Sequence, residues 1–303
     1  MAIRILSSTM ALAVLLLAVA PAEAAEPAGE SAPPPFPTTE FAEGAREASV
    51  TDSGITARLF YERRPKIDKT LDVPVLQLTI GNRMVLDVAG LASGMDVPAA
   101  TASIAEIDPY RVGKEVYFSS YSGGAHCCSR VVVAENGPKG WTTIEIGSFD
   151  GDGDYLEDID NDGVAEIVTT DNAFLYAFDC YACSAAPLVI RAVRDGKVVD
   201  VSAETRFGKH HRDWLAELES NAEPETRWSS PGFLAGWVAQ SVRAGSGATA
   251  YKALLDHWDF SADAGEETCI SSDDLDACPK RDRKLLKFPD RLKLFLTRHG
   301  YAF

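Results

Sequence analysis

Between residues 55 and 201 the chain repeats one pattern, a short run of β-branched and aromatic residues closed by a turn. The runs fall at 55–62, 73–80, 83–88, 102–107, 115–121, 130–135, 142–146, 166–170, 174–178, 188–193 and 197–201, with Gly81-Asn82, Asn136-Gly137-Pro138 and Asp195-Gly196 among the turn signals. Such side chains fit a pleated, half-buried surface. Parallel strands need long crossovers, usually helical, and no helical period interrupts the runs. The pattern therefore predicts a mainly β, antiparallel fold, either propeller-blade-like or a sandwich. Eleven strands make about three four-stranded sheets, fewer than the blades of a closed propeller.

After residue 201 the period changes. Trp214, Leu215 and Leu218 stand at helical spacing, and Phe233, Leu234, Trp237, Val238 and Val242 line one face of a run opened by Ser230-Pro231. A Ser cap followed by Pro in the first turn is a helix start. Gly245-Ser246-Gly247 breaks that helix, residues 248–258 form another, and a last helix spans 289–299 and stops at Gly300. A helical C-terminal subdomain over 204–303 thus follows a β-rich domain over 41–203.

The N-terminus reads as an export signal over residues 1–24, with Arg4, an apolar stretch and Ala22-Glu23-Ala24 as the cleavage pattern. Residues 25–40 carry Pro27, Pro33, Pro34, Pro35 and Pro37 and read as an extended tether. No later segment reaches the length of a membrane span, so the expected protein is periplasmic or secreted and not membrane-spanning. The net charge of -16 lacks the basic footprint that nucleic acid requires. Residues 279–303 run against that balance with eight Lys and Arg against Asp282 and Asp290. A basic tail on an acidic body points to docking within the chain, contact with an anionic envelope polymer, or a solvated helix face.

Ten acidic residues and no basic one lie from Glu145 through Asp171. Within them Asp158, Asp160, Asp162 and Glu166 occupy positions 1, 3, 5 and 9 of a loop, with Gly163 at the sharp turn and the Val164 carbonyl at position 7. Hard oxygens at this spacing converge on calcium. An EF-hand is excluded, since position 12 is Thr169 where a bidentate Glu belongs, and strand-forming residues follow. The segment 158–168 resembles the calcium loop of FG-GAP/VCBS-type repeats, which close turns within propeller blades. That resemblance implies Asp158, Asp160, Asp162, the Val164 backbone and Glu166 as ligands. The preceding run, Asp150-Gly151-Asp152-Gly153-Asp154, repeats the spacing but has Tyr155 where the turn glycine belongs.

All six cysteines lie beyond the export signal, and an even count in an oxidising compartment reads as disulfides. Cys269 and Cys278 flank a polar loop and are expected to pair. Cys127, Cys128, Cys180 and Cys183 are expected to cross-link the Gly-rich turn to the segment after the acidic loop, with the partners left open. The alternative is a thiolate zinc or copper site that adds His126. Catalytic signatures are sparse: there is no G-x-S-x-G, no H-E-x-x-H and no P-loop. An envelope hydrolase using Ser122 and His126 is the rival to a calcium-binding, disulfide-stabilised binding or scaffold protein, whose partner would be an envelope protein or glycan.

Overall fold

The computed structural model describes residues 36–94 and 100–303; the export signal and most of the tether lie outside them. In chain order the strands are β1 (Thr38–Glu40), β2 (Glu47–Asp52), β3 (Ile55–Arg63), β4 (Asp72–Ile80), β5 (Arg83–Ala89), β6 (Ala100–Ala105), β7 (Glu115–Tyr121), β8 (Cys127–Gly137), β9 (Gly140–Asp150), β10 (Leu156–Glu157), β11 (Glu166–Thr170), β12 (Leu188–Arg194) and β13 (Lys197–Asp200). Helices α1 (Gly208–Asn221), α2 (Pro231–Arg243) and α3 (Gly247–His257), the hairpin β14 (Glu266–Cys269) and β15 (Arg283–Leu286), and α4 (Phe288–Arg298) complete the chain.

The strands pair antiparallel as three successive meanders, β2-β3-β4-β5, β6-β7-β8-β9 and β10-β11-β12-β13. Strand β1 adds to the edge of the second, with Thr39 opposite Ala102. Residues 38–40 are therefore folded, and the tether ends earlier than its composition indicated. Alternation sends successive side chains to opposite faces, and the middle sheet uses both. Val116, Phe118, Val132 and Ala134 pack with Leu59, Leu76 and Leu78 of the first sheet. Tyr117, Val131 and Val133, one residue out of phase, pack with Leu156, Ile167 and Val193 of the third. Burial on both faces explains the near-continuous apolar runs of β7 and β8. The outer face of the third sheet is closed by Phe207 and, on α1, Trp214 against Ile190 and Val201.

Helices α2, α3 and α4 share a core of their own, centred on Leu234, Val238, Leu254, Leu292 and Leu296. The helix starting at Pro231 is present, but Ser230 does not cap it: its hydroxyl donates instead to Thr226 O at 3.0 Å. The polypeptide crosses close to α2 at Gly236, where an added Cβ would stand 2.1 Å from Ala185 O.

The strand anticipated at 174–178 is absent. Asp171 caps a short 3-10 helix there by accepting the Ala173 N–H at 3.0 Å, and Tyr176 takes a positive φ of 65°. Phe174 is buried edge-on against Phe295 and Tyr301, so Phe174 and Phe178 pack onto the helical core, not into a sheet, while Tyr176 stays exposed. The basic C-terminal residues dock within the chain: Arg298 donates to Ser272 O and Cys269 O, and Arg291 pairs with Glu266 at 2.7 Å. No helix among the described residues is long and apolar enough to cross a membrane.

Candidate metal centre

The acidic loop connects β10 to β11, with Glu157 directly opposite Glu166 in the ladder. Its conformation follows from its residue types. Asn161 and Gly163 supply positive φ values of 61° and 91°. Asp158 turns back on the loop, its two oxygens accepting the Asp162 and Gly163 N–H groups at 3.0 Å each. Asp162 accepts the Val164 N–H at 2.9 Å. The far end is anchored by Ala165, whose N–H donates to Glu106 O at 2.8 Å, while Ile159 is buried under α1.

Carboxylate oxygens of Asp158, Asp160 and Glu166 converge to within 4.8 Å of one another. Asp162 is set outward, with its side chain 46% exposed. Val164 follows it, held by the Asp162 side chain. Glu166 is 1% exposed. Its Oε2 and the Oδ1 of Asp160 are buried without a hydrogen-bond partner. Burial first, and then the neighbouring Asp160 charge, push the Glu166 carboxyl up to about 7 against the opposing pull of Arg206.

Arg206 was not legible as part of this site. It sits in the short turn before α1 and sends Nη1 to Asp160 Oδ2 at 2.6 Å and Asp162 Oδ2 at 3.1 Å, and Nη2 to Glu166 Oε1 at 3.2 Å. Its Nε donates to Glu204 at 3.0 Å. The guanidinium thus takes one oxygen from each of Asp160 and Glu166 and leaves the other free. Four carboxylates face one guanidinium, and a buried acceptor without a donor is costly. The donor set, all hard oxygen with two buried atoms unsatisfied, fits a divalent cation of the calcium type. The preceding run is built differently: the Tyr155 hydroxyl donates to Asp150 O at 2.8 Å, and Asp150 Oδ2 accepts from the Tyr181 hydroxyl.

The Gly-rich turn does not assemble a catalytic triad. The Ser122 hydroxyl donates to Cys127 O at 3.1 Å and accepts the Cys128 N–H at 2.9 Å. His126 instead stacks on Tyr181 with ring centroids 3.8 Å apart, bonds the Tyr176 hydroxyl at 2.9 Å, and places Nδ1 3.5 Å from Asp150 Oδ1. A base and an acid face each other, but the Ser122 hydroxyl is committed to backbone.

Cys269 pairs with Cys278. The other four depart from the expected cross-links: Cys127 joins its neighbour Cys128, and Cys180 joins Cys183. Both pairs close over the shortest chain separations, one residue and three. Among the described residues no cysteine is free, so the thiolate zinc or copper site lacks its ligands.

Residues 211–300 match the family model described as the sll0997 C-terminal domain. This stretch covers most of α1 through α4 and leaves the acidic loop outside it. The chain is 35% identical over 256 residues to the probable thylakoid lumen protein sll0997 of Synechocystis sp., an alignment covering 83% of this chain and 75% of that protein. It is also 34% identical over 189 residues to the uncharacterized protein y4bJ of Sinorhizobium fredii, across 62% of this chain but 30% of that longer protein. No solved structure matches the chain. With a shared C-terminal domain and a third of the positions identical along most of both chains, the protein belongs to the family of the probable thylakoid lumen protein sll0997.

Proposed function

We propose that this is an exported, calcium-loaded binding or scaffold protein of the cell envelope, in which the loop from Asp158 to Glu166 works as an FG-GAP/VCBS-type calcium turn. One observation carries the reading: two buried carboxylate oxygens, Asp160 Oδ1 and Glu166 Oε2, have no donor although Arg206 lies within reach of their sister atoms. A calcium ion with Asp158, Asp160 and Glu166 as first ligands satisfies both, and Asp162 and the Val164 carbonyl complete the set that the resemblance implies. Arg206 then acts as an outer neutraliser and a mechanical link from the loop to α1.

Export is supported by the signal pattern around Ala22-Glu23-Ala24, by three disulfides, which persist in oxidising compartments, and by the lumenal designation of the Synechocystis relative. The ligand or partner is an envelope protein or a glycan, held by sheets whose β10–β11 loop the metal stiffens. Calorimetry on the mature protein, paired with crosslinking in native envelope fractions with and without chelator, tests the proposal. Calcium binding below millimolar concentration and a crosslinked partner that disappears on chelation are the expected results. Absence of binding heat at millimolar calcium refutes the loop assignment, and crosslinks indifferent to chelator refute the scaffold role.

A further inference from the structure

Beside the helices lies a half-open cleft of about 420 Å³, in the size range of small-molecule sites. Four aromatic rings line it: Phe178, Trp228, Trp258 and Phe288. Each is held by a neighbour. Trp258 and Phe288 lie 4.6 Å apart between centroids, Phe178 meets Phe288 edge-on at 5.4 Å, and Trp228 is backed by His257 in a 4.1 Å stack and by Trp237 edge-on at 5.8 Å. These contacts preform the wall, so a ligand need not order it on entry.

The charged groups of the lining are Asp259, Asp263 and Glu266 against Arg291. Asp263 is locked in place, with Oδ2 accepting the Trp258 indole N–H at 2.9 Å and the Phe288 N–H at 2.8 Å, and Oδ1 accepting the Gly265 N–H at 2.8 Å. Asp259 accepts the Ser261 and Ala262 N–H groups. The positive charge nearby is already engaged. Arg291 pairs with Glu266 at 2.7 Å and rests over Phe178, Arg227 lies over the Trp228 ring at 5.2 Å, and Lys287 donates to Phe260 O while its charge also acts on Asp259 and Asp263, which leaves one carboxylate of the lining in excess. Aromatic faces with a carboxylate in excess favour a cation that carries its charge on an apolar body.

We infer that this cleft binds a small organic ammonium ion, a quaternary or alkylated amine whose charged head stacks on Trp228, Trp258 and Phe288 while Asp259 and Asp263 supply the counter-charge. The site is independent of the calcium loop and lies, apart from Phe178, within the segment that matches the sll0997 C-terminal domain. Rings alone would accept any apolar guest, so charge selectivity separates this reading from a plain hydrophobic pocket.

Binding of choline to the full mature protein, followed by tryptophan fluorescence and calorimetry, is the test, with choline's uncharged tert-butyl isostere as the comparison. Choline should bind severalfold tighter than the isostere, since a cation–π contact in a half-open cleft is worth about a severalfold preference. Trp228→Leu should weaken choline severalfold with the calcium response unchanged, and Asp259→Asn, at an exposed carboxylate, should weaken it severalfold and flatten its salt dependence. Equal binding of choline and its isostere overturns the proposal. So does a wild-type protein that shows no fluorescence change at tens of millimolar choline, or an Asp259→Asn variant that binds choline as the wild type does.

Discussion

Replacing Arg206 by Met separates a loop neutralised by its own arginine from one completed by a metal. The length of the side-chain stem is kept, while the guanidinium contacts to Asp160, Asp162 and Glu166 and its stacking over the Phe207 ring are lost. Exposed ion pairs contribute at most about 1 kcal/mol and broken buried ones cost about 3–5 kcal/mol. Arg206 is 32% exposed and Glu166 is 2% exposed at the side chain, so the loss in calcium-free protein should fall between, near about 2 kcal/mol. For a domain of this size that is a fall in Tm of about 4–8 °C. Bound calcium changes the sign of part of the effect. A divalent ion roughly 6 Å from the guanidinium repels it by about 1.4 kcal/mol even at the dielectric constant of water. Removing Arg206 should therefore tighten calcium binding about tenfold and make the variant's deficit smaller in calcium than in chelator. The contact with Glu204 is lost under both conditions and cancels in the difference. Thermal melts of both proteins in chelator and in calcium, with calorimetric Kd values, measure the coupling. Equal destabilisation under both conditions with an unchanged Kd would refute the idea that metal and guanidinium share these carboxylates.

Within the acidic run, Asp160→Ala should remove most of the calcium-induced rise in Tm, which in the wild type amounts to about 2.7 kcal/mol at a hundredfold excess over Kd. Asp152→Ala should leave that rise unchanged in the same melts, and a loss as large as that of Asp160→Ala would relocate the ion. Away from the loop, burial pushes Glu115 up to about 7 from the ordinary 4.5, with Glu106 and Asp108 adding to the rise against the Ile107 and Asp108 N–H groups. A folded pKa above the unfolded one gives stability that is complete below pH 4.5 and lost as pH rises through about 7. Glu115→Gln should flatten that limb by up to about 3 kcal/mol in denaturant titrations across the window, and parallel pH profiles for variant and wild type would count against it. Gly236→Ala should destabilise by about 3 kcal/mol through collision with Ala185 O, although alanine is the better helix former by about 1 kcal/mol. A denaturation midpoint at or above that of the wild type would show that the backbone crossing yields.

Features encoded within a few neighbouring residues were legible in the chain itself. Alternation marked β3, β4, β7 and β11, the 3.6-residue period with Pro231 and Gly300 marked α2 and the end of α4, and the short polar loop between Cys269 and Cys278 indicated their pairing. The spacing from Asp158 to Glu166 located a loop between strands, because ligand order and turn glycine sit in one short segment. What depended on distant partners was not legible. Phe174 and Tyr176 have strand-type side chains, yet the Asp171 cap and the waiting ring of Tyr301, 130 positions from Asp171, drew the segment into a turn that seats Phe174 against the helices and leaves Tyr176 exposed beside His126. Arg206 lies 40 positions beyond Glu166, and only the folding of the turn before α1 onto the third sheet delivers its charge to the loop. The four remaining cysteines closed local rings, one and three residues apart, instead of bridging segments. Propensity and periodicity act over a turn or a strand and can be read from the chain. Face-to-face stacking of the sheets, the aromatic cleft and the charge balance of the acidic loop arise from contacts between segments far apart, and only the tertiary structure decides them.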